Sequence, residues 1–384
     1  MWRHIASNFL TFLVVLVFLV GGVILWGQSE YTAQGPLDEP ICLRVERGSN
    51  MRAVSRELQG EGAISNGTIF RVGVDYANKN NLLKAGSWLI PEGASMAEIA
   101  DIITRGGASS CGTEVVYRIG VTDAEVEVRE LDPATNRYVE KAAFVPGEGA
   151  APEAFDSVRE KADTRYRIAV AEGVTSWQVL QGLAAVDVLE GEVNDIPPEG
   201  SLAPDSYEVR EGDTRASVIE RMQQAQDVIL ARAWESRQED LPLQSPYEAL
   251  ILASIIEKET GVAEERGQVA SVFVNRLNLG MRLQTDPTVI YGITEGQGVL
   301  GRGLRRSELR ASTPWNTYVI DGLPPTPIAN PGRASIEAAV NPLSTEYIFF
   351  VADGTGGHAF AKTLDEHNRN VARWREIEAQ RATE

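Results

Sequence analysis

The stretch VREGDT, residues 209–214, contains the local pattern that decides the fold. An extended apolar segment ends there, a glycine follows, and Thr214 stands two residues after that glycine. Glycine permits a sharp turn, and a threonine side chain at this position can accept hydrogen bonds from the free amides that begin a helix. The pattern therefore predicts a strand, a tight turn and a helix.

The same pattern occurs three more times along the chain, at VERGSN (45–50), IPEGAS (90–95) and VAEGVT (170–175). The capping positions are Asn50, Ser95 and Thr175, and apolar residues at helical spacing follow each of them. Four such units predict an α+β fold. They resemble the LysM module, a family that holds N-acetylated glycans. A strand-to-helix turn of this composition also arises in proteins that bind no glycan, so the turns alone do not establish binding.

The segment between the second and third units has a different character. GTEVVYRIG, AEVEVREL and RYVEKAAFV alternate in polarity, and the turn DPATN (132–136) separates the last two. Alternation joined by such a turn predicts a β-hairpin. PGEGAAPEAF (146–155), rich in Gly, Ala and Pro, predicts a flexible exit. We interpret residues 108–163 as a β-rich insertion.

An uncharged apolar run covers residues 9–26, near the N-terminus. It is long enough to cross about 30 Å of hydrocarbon at about 1.5 Å per residue, and Trp2 and Trp26 bracket it as interfacial anchors would. Basic residues precede it and acidic residues follow it: Arg3 and His4 before, Glu30, Asp38 and Glu39 after. The positive-inside rule then places the short N-terminus in the cytoplasm.

We therefore expect a single membrane anchor within residues 1–27, then a polar linker with Gly and Pro at 28–40. A cleaved signal peptide is the alternative, although no small-x-small site follows the run. Cys42 and Cys111, the only cysteines, would lie outside the cytoplasm, where a disulfide is permitted. Two separate buried thiols are the other possibility.

Charge and histidine content narrow the class of protein. The formal net charge of −18 argues against nucleic-acid binding, which needs clustered basic residues. The histidines are His4, His358 and His367, and neither they nor the cysteines have metal-ligand spacing. We expect no metal and no cofactor.

The segment SPYEALILASIIEKETG (245–261) predicts a helix from about 246 to 260. Ser245 and Glu248 form the pattern of a capping box, Pro246 suits the first helical position, and Gly261 is placed to end the helix.

The two glutamates near the end of this helix are not equivalent. At about 100° per residue, the mean direction of the apolar residues Ile251, Leu252, Ile255 and Ile256 falls within about 10° of Glu259. Glu257 points the other way and is predicted to be solvated. Partial burial would raise the pKa of Glu259 toward the range of a general acid. Fraying at the helix end, or an ion pair with Arg266, is the alternative for Glu259.

The loops that follow are dense in amides, hydroxyls and aromatic rings. Such a mixture suits a sugar chain, because pyranose faces stack on aromatic rings while hydroxyl and acetamido groups need fixed donors and acceptors. Buried structural groups would give the same composition. The candidate substrate-binding residues are Gln284, Asp286, Tyr291, Asn316, Tyr318 and His358.

Four motifs in this order and spacing resemble the endolytic murein transglycosylases, the YceG-like family of single-pass membrane lyases that cut peptidoglycan strands. They are ASIIEKETG, VFVNRLNLGMRLQTDPTVIYG, NTYVIDGLPPTPIANPG and YIFFVADGTGGHAF. LKAGSWLIPEG and PEGSLAPDSYEV resemble the family more loosely, and residues 108–163 have no counterpart in its pattern. The resemblance implies a LysM-like domain at 41–107 and a catalytic domain at 164–384.

The resemblance also implies that Glu259 is the catalytic acid. It would protonate the oxygen that leaves N-acetylmuramic acid, then take the proton of the 6-hydroxyl that closes a 1,6-anhydro ring. Asp286 allows a hydrolytic muramidase as the alternative, although an Asp before Pro commonly orders a turn. A non-enzymatic wall-binding scaffold is the other. The implied partners are glycan strands, the inner membrane and wall-synthesis enzymes, with the catalytic domain in the periplasm.

Overall fold

The computed structural model describes residues 2–107, 109–159, 161 and 163–381, with side chains from Phe9 onward. The predictions that used the side chains of Trp2, Arg3 and His4 lie outside this described part. The helices are α1 (Trp2–Thr32), α2 (Met51–Gly60), α3 (Gly67–Tyr76), α4 (Met96–Arg105), α5 (Glu153–Arg159), α6 (Ser176–Ala184), α7 (Arg215–Glu235), α8 (Pro246–Glu259), α9 (Arg266–Asn278), α10 (Asp286–Thr294), α11 (Arg333–Val340) and α12 (Leu364–Arg381).

The strands are β1 (Ile41–Val45), β2 (Gly86–Ile90), β3 (Thr113–Ile119), β4 (Ala124–Asp132), β5 (Arg137–Phe144), β6 (Arg165–Val170), β7 (Ser206–Val209), β8 (Phe349–Ala352) and β9 (His358–Ala361). β1 pairs with β2, β8 pairs with β9, and the others form a sheet in the order β5-β4-β3-β6-β7. This mixture confirms the α+β fold class.

The chain divides into two compact units. Unit 1 comprises the described residues of Met1–Val115, Glu127–Phe144 and Ala150–Arg165. Unit 2 comprises Val116–Val126, Val145–Gly149 and the described residues of Tyr166–Glu384.

All four predicted strand–turn–helix units are present. Gly48, Gly93, Gly173 and Gly212 have positive φ angles of 80°, 64°, 79° and 89°. The side chains of Asn50, Ser95, Thr175 and Thr214 accept hydrogen bonds from the first amides of α2, α4, α6 and α7. The left-handed turn is the conformation that favours glycine. Assignment of these units to LysM modules stays a prediction.

In unit 1 the antiparallel pair β1–β2 packs with α2, α3 and α4 around one core. Val54, Phe70, Ile90 and Ile99 are completely buried in it. Cys42 of β1 forms a disulfide with Cys111, with 5.9 Å between the Cα atoms. The structure thus selects the disulfide over two separate thiols.

The linker predicted at residues 28–40 is not a free tether. α1 continues to Thr32, and Tyr31 and Leu37 pack against the core of unit 1. The Gly93 amide also donates a hydrogen bond to the Leu37 carbonyl. The polar, Gly- and Pro-containing composition suggested a tether, but the two apolar side chains within it bury themselves in the unit.

The predicted apolar run lies within α1. Residues Phe9–Thr32 are long and apolar enough to cross a membrane, and none of the most apolar window is buried in the protein. Helices of this kind serve as membrane anchors or as signal sequences.

The predicted hairpin is β4 and β5. The Asp132 carboxylate accepts hydrogen bonds from the Ala134 amide and the Thr135 hydroxyl, and Asn136 has a φ of 50°. The predicted flexible exit is wrong in its last residues, which begin α5. Phe155 is buried there and meets the Phe144 ring edge-on at 5.0 Å, because one large apolar side chain outweighs the Gly- and Ala-rich context.

Candidate active site

Helix α8 forms the base of the site, and it begins as predicted. The Ser245 hydroxyl accepts from the Glu248 amide at 3.3 Å, and Pro246 is the first helical residue. The capping box is only half formed, because the Glu248 carboxylate accepts from the Gln244 amide at 2.6 Å. The helix ends at Glu259 with Thr260 extended, and Gly261 does not adopt the left-handed conformation predicted for a helix stop.

Helix α8 is enclosed on every side in unit 2. Each residue from 249 to 256 is buried, and α7, α9, α10 and α11 all pack against the helix. The Ser254 hydroxyl, on the side predicted to be wet, accepts from the Ile328 amide at 3.0 Å.

Glu257 is therefore not the solvated acid that the helical wheel predicted. It is partly buried, and its carboxylate accepts from the Gly332 amide at 2.9 Å, at the N-terminus of α11. A carboxylate is stabilising at that end of a helix. The wheel assumed one buried face, whereas a central helix has none exposed.

Glu259 lies at the end of α8 and is also partly buried. The Thr285 hydroxyl donates a hydrogen bond to its Oε1 atom. Burial raises the pKa of the Glu259 carboxyl, and the Thr285 hydrogen bond opposes part of that rise. Asp286 raises this pKa further, while His358 and Arg276 lower it. The direction is the one expected for a group that holds a proton.

The alternative partner for Glu259 is occupied elsewhere. Arg266 forms an ion pair with Glu172, at 3.6 Å. Glu259 therefore does not depend on an ion pair with Arg266.

Asp286 and Tyr318 lie beside Glu259. The Tyr318 hydroxyl donates to Asp286 Oδ1 at 2.7 Å, and Asp286 is exposed at the first position of α10. Burial raises the pKa of Tyr318, and Asp286 and Glu259 raise it further, so the phenol keeps its proton. An exposed carboxylate with a fixed hydroxyl neighbour can bind the hydroxyl groups of a ligand.

Arg276 is a buried cation on α9 within electrostatic reach of Glu259. It donates from Nε to the Ile348 carbonyl at 2.7 Å and from Nη1 to the Leu283 carbonyl at 2.5 Å. It thereby joins the loop before Thr285 to the segment that enters β8. Its charge also favours the ionised form of Glu259.

His358 begins β9 and is fixed by Glu265. The two Glu265 oxygens lie 2.8 Å from the His358 amide nitrogen and 2.7 Å from ring atom Nδ1. The ring meets Phe350 edge-on at 5.2 Å. The orientation of this histidine is therefore set by protein groups before any ligand arrives.

Gln284 has an exposed side chain next to Thr285, and its own backbone is left-handed, with a φ of 50°. The structure thus brings Asp286, Tyr318 and His358 into the surroundings of Glu259. Gln284 directly precedes Thr285, the residue that donates to Glu259.

Two further predicted substrate-binding residues, Asn316 and Tyr291, have hydrogen-bond partners within the protein. Asn316 is completely buried; its amide donates to the Glu308 and Ala311 carbonyls and its oxygen accepts from the Tyr318 amide. The Tyr291 hydroxyl donates to Glu199 Oε2 at 3.2 Å. These contacts help to hold the loops in place, and a role of either residue in substrate binding stays a prediction.

Three residues around the site had no assigned role from the sequence: Thr285, Arg276 and Glu265. Arg276 carried a usable signal, because it follows Val269, Val272 and Phe273 at helical spacing and so falls on the buried stripe of α9. A charge on such a stripe marks a functional or paired group. Thr285 and Glu265 are brought to the site by tertiary structure, and no local sequence pattern indicates that they lie there.

The part of the chain that holds this site is also the part that matches a known protein family. The model of the YceG-like family matches residues 144–373, a range that contains all of the residues described above. An endolytic murein transglycosylase of Bacillus subtilis strain 168 is 28% identical over 354 residues, covering 91% of this chain and 89% of the relative.

An endolytic murein transglycosylase of Streptococcus pneumoniae D39 is 26% identical over 382 residues. The alignment covers 96% of this chain, which spans 65% of that relative's length. A crystal structure of a YceG-like protein from Listeria monocytogenes is 27% identical and covers 86% of this chain and 99% of its own, with a TM-score of 0.46.

Proposed function

Since this chain belongs to the YceG-like family, we propose that it is a lytic transglycosylase, a lyase that cuts peptidoglycan strands internally. The observation that carries the proposal is Glu259. Burial raises the pKa of its carboxyl, a hydroxyl fixes one of its oxygens, and exposed polar groups lie beside it. Two curated relatives, 26% and 28% identical over alignments that cover most of this chain, are endolytic murein transglycosylases.

In the proposed reaction, Glu259 acts first as an acid and then as a base. Its proton passes to the oxygen of the β-1,4 bond as the bond from C1 of N-acetylmuramic acid to that oxygen breaks. The resulting carboxylate takes the proton of the 6-hydroxyl, whose oxygen bonds to C1 and closes the 1,6-anhydro ring. No water is consumed. A raised pKa suits a group that must give and retake a proton.

The surrounding residues support both states of Glu259. Because Thr285 donates to Oε1, Oε2 is the oxygen left for the travelling proton. Arg276 and His358 favour the carboxylate that forms after the first transfer. Asp286, Tyr318 and Gln284 bind hydroxyl and acetamido groups of the strand.

The hydrolytic alternative would use Asp286 as a second carboxylate that activates water. In the structure, Asp286 is the first residue of α10 and accepts from the Tyr318 hydroxyl. Those contacts favour a ligand-binding role. A wall-binding scaffold without activity would need no buried carboxyl group with a raised pKa such as that of Glu259.

We also propose that α1 anchors the protein in the inner membrane by a single pass, with both units on the periplasmic side. The apolar length of α1 and the acidic residues after it support this orientation. The Cys42–Cys111 disulfide is consistent with an oxidising compartment. There the enzyme would act on nascent strands beside wall-synthesis enzymes.

Mass spectrometry of the products tests the reaction type. The full chain, in detergent, is incubated with purified glycan strands and the new ends are weighed. Transglycosylation gives 1,6-anhydro ends. Ends heavier by one water would establish hydrolysis instead, and intact strands would favour the scaffold.

A further inference from the structure

Helix α3 of unit 1 leaves an apolar face without a partner. Val72 is 63% exposed and Tyr76 is 89% exposed, and they stand four residues apart on the same side of the helix. Outside α1, these two side chains are the most exposed large apolar residues among the described residues of unit 1, so the pair needs an explanation. Its position beside α1 supplies one.

The end of α1 is packed firmly on α3. The ring of Tyr31 lies so close to Gly73 that a Cβ atom there would come within 2.3 Å of it. One residue earlier, Glu30 accepts a hydrogen bond at 2.5 Å from Ser65, which lies just before α3. α1 therefore enters unit 1 as one continuous, fixed helix.

These two contacts also fix the direction of α3. Glu30 and Tyr31 differ by about 1.5 Å along α1, whereas Ser65 lies two residues before α3 begins and Gly73 lies roughly 9 Å along α3 from its first residue, Gly67. The segment just before α3 and the second turn of α3 therefore contact adjacent residues of α1, at nearly the same height along its axis. α3 consequently crosses α1 at a wide angle, and lies along the membrane surface when α1 spans the bilayer.

The faces of α3 show which side looks toward the bilayer. With Gly73 as the reference, the buried Phe70 and Val74 lie about 80° to one side, and Val72 and Tyr76 lie about 80° to the other, at about 100° per residue. Tyr31 and Leu37 pack with the core of unit 1, whereas residues 9–26 do not, so the core lies on the side of α3 away from the apolar run. The exposed pair on the opposite side therefore points at the bilayer.

The height of α3 matches this orientation. Tyr31 follows Trp26, the end of the apolar run, by about 7.5 Å along α1. Side chains extend about 5–6 Å from a helix axis, so Val72 and Tyr76 reach nearly to the level of Trp26. A tyrosine beside an aliphatic residue suits the boundary between headgroups and hydrocarbon.

We propose that the face formed by Val72 and Tyr76 docks on the lipid bilayer that α1 crosses and holds unit 1 against the membrane surface. The inference rests on the proposed anchor. Arg71 and Asp75 lie about 160° from Gly73, on the side of α3 that faces away from α1, and carry opposite charges, so together they add no net attraction to anionic lipid.

Nitroxide labels test the docking in the full chain, reconstituted into phosphatidylcholine vesicles. Labels are placed through Val72→Cys and Tyr76→Cys, while the disulfide keeps Cys42 and Cys111 unlabelled. Val17→Cys reports the anchor, and Val139→Cys, on an exposed position of β5, reports water. Collision rates with oxygen, which concentrates in lipid, are compared with those of a water-soluble nickel chelate.

The ratio of the collision rate with oxygen to that with the nickel chelate is expected to be several-fold higher for labels at 72 and 76 than for the label at 139. The label at 17 is expected to give a similarly high ratio. If 72 and 76 match 139 while 17 lies in lipid, the docking is wrong and the anchor stands. If 17 also favours the nickel chelate, the anchor itself is wrong and the docking falls with it.

Discussion

Glu257 and Glu259 are two positions apart on α8 and have different tasks. Glu257 satisfies the Gly332 amide at the start of α11, whereas Glu259 meets Thr285 among groups that change its ionisation. Helical periodicity identified Glu259 correctly as an extension of the buried stripe. It was wrong for Glu257, because periodicity cannot show that other helices cover the second face.

Burial raises the pKa of Glu259, and the Thr285 hydroxyl opposes part of that rise. Its hydrogen bond favours the carboxylate, so Thr285→Val is expected to raise the pKa of Glu259 further. A general acid loses activity as pH rises through its pKa, and the alkaline limb of kcat/KM should therefore move to higher pH. Thr285→Ser, which keeps the hydroxyl, is the control. An unchanged limb in the valine variant would show that this hydroxyl does not tune the acid.

Glu259 also makes stability depend on pH. Its pKa in the folded protein lies above the ordinary 4.5, so its stabilising contribution is complete below that value and is lost as pH rises through the raised pKa. Glu259→Gln removes the cost of a buried charge. Its Tm should exceed that of wild type at neutral pH, and the gain should vanish in acid.

Thermal unfolding across pH measures this difference. Glu264→Gln, which removes a charge from an exposed position in the next turn, controls for net charge alone. A gain for Glu259→Gln that is equal at acid and neutral pH would contradict the account.

Among the helices and strands, those flanked by short local sequence signals were predicted best. A positive-φ glycine and a capping side chain fix each strand–turn–helix unit within six residues, so the sequence alone locates all four. Asn316 and Tyr291 show the limit. The Tyr291 hydroxyl reaches Glu199, which only the folded chain brings near, while the Asn316 amide turns back into its own loop. Composition could not distinguish such contacts from contacts to a ligand.

The cap of α2 tests the energetic side of those units. Asn50 accepts from the Arg52 and Ala53 amides, both at 3.1 Å. Asn50→Ala should lower the free energy of unfolding of unit 1 by about 1 kcal/mol, because two helix amides lose their acceptor. Asn50→Asp keeps the acceptor and should be nearly neutral in urea unfolding. Equal losses in both variants would mean that the cap contributes little.

For the molecule as a whole, the disulfide is the main covalent constraint on unit 1. It joins residues 69 positions apart, and closing a loop of that length stabilises by about 4 kcal/mol through the unfolded state. Replacing both cysteines by serine should lower the urea midpoint of unit 1 accordingly. Reductant should reproduce this in wild type and leave the variant unchanged; a wild type insensitive to reductant would contradict the prediction.

The fold class, the apolar run within α1 and the place of Glu259 on the buried stripe of α8 were accessible from the sequence because each has a local signature. The pairing of Cys42 with Cys111 was not, because two cysteines in an oxidising space can also stay apart. The packed linker and the apolar face of α3 also emerged only from structure. Both depend on where α1 meets unit 1, which no single segment specifies.

The proposed activity depends on one residue, Glu259, moving the proton that cuts the strand. Purified glycan strands are digested with wild type, Glu259→Gln and the matched control Glu257→Gln, whose amide oxygen can still accept from Gly332. Wild type and Glu257→Gln are expected to give anhydro products, whereas Glu259→Gln should cut at least about a hundredfold more slowly, as loss of a general acid requires. Normal cutting by Glu259→Gln would contradict this role.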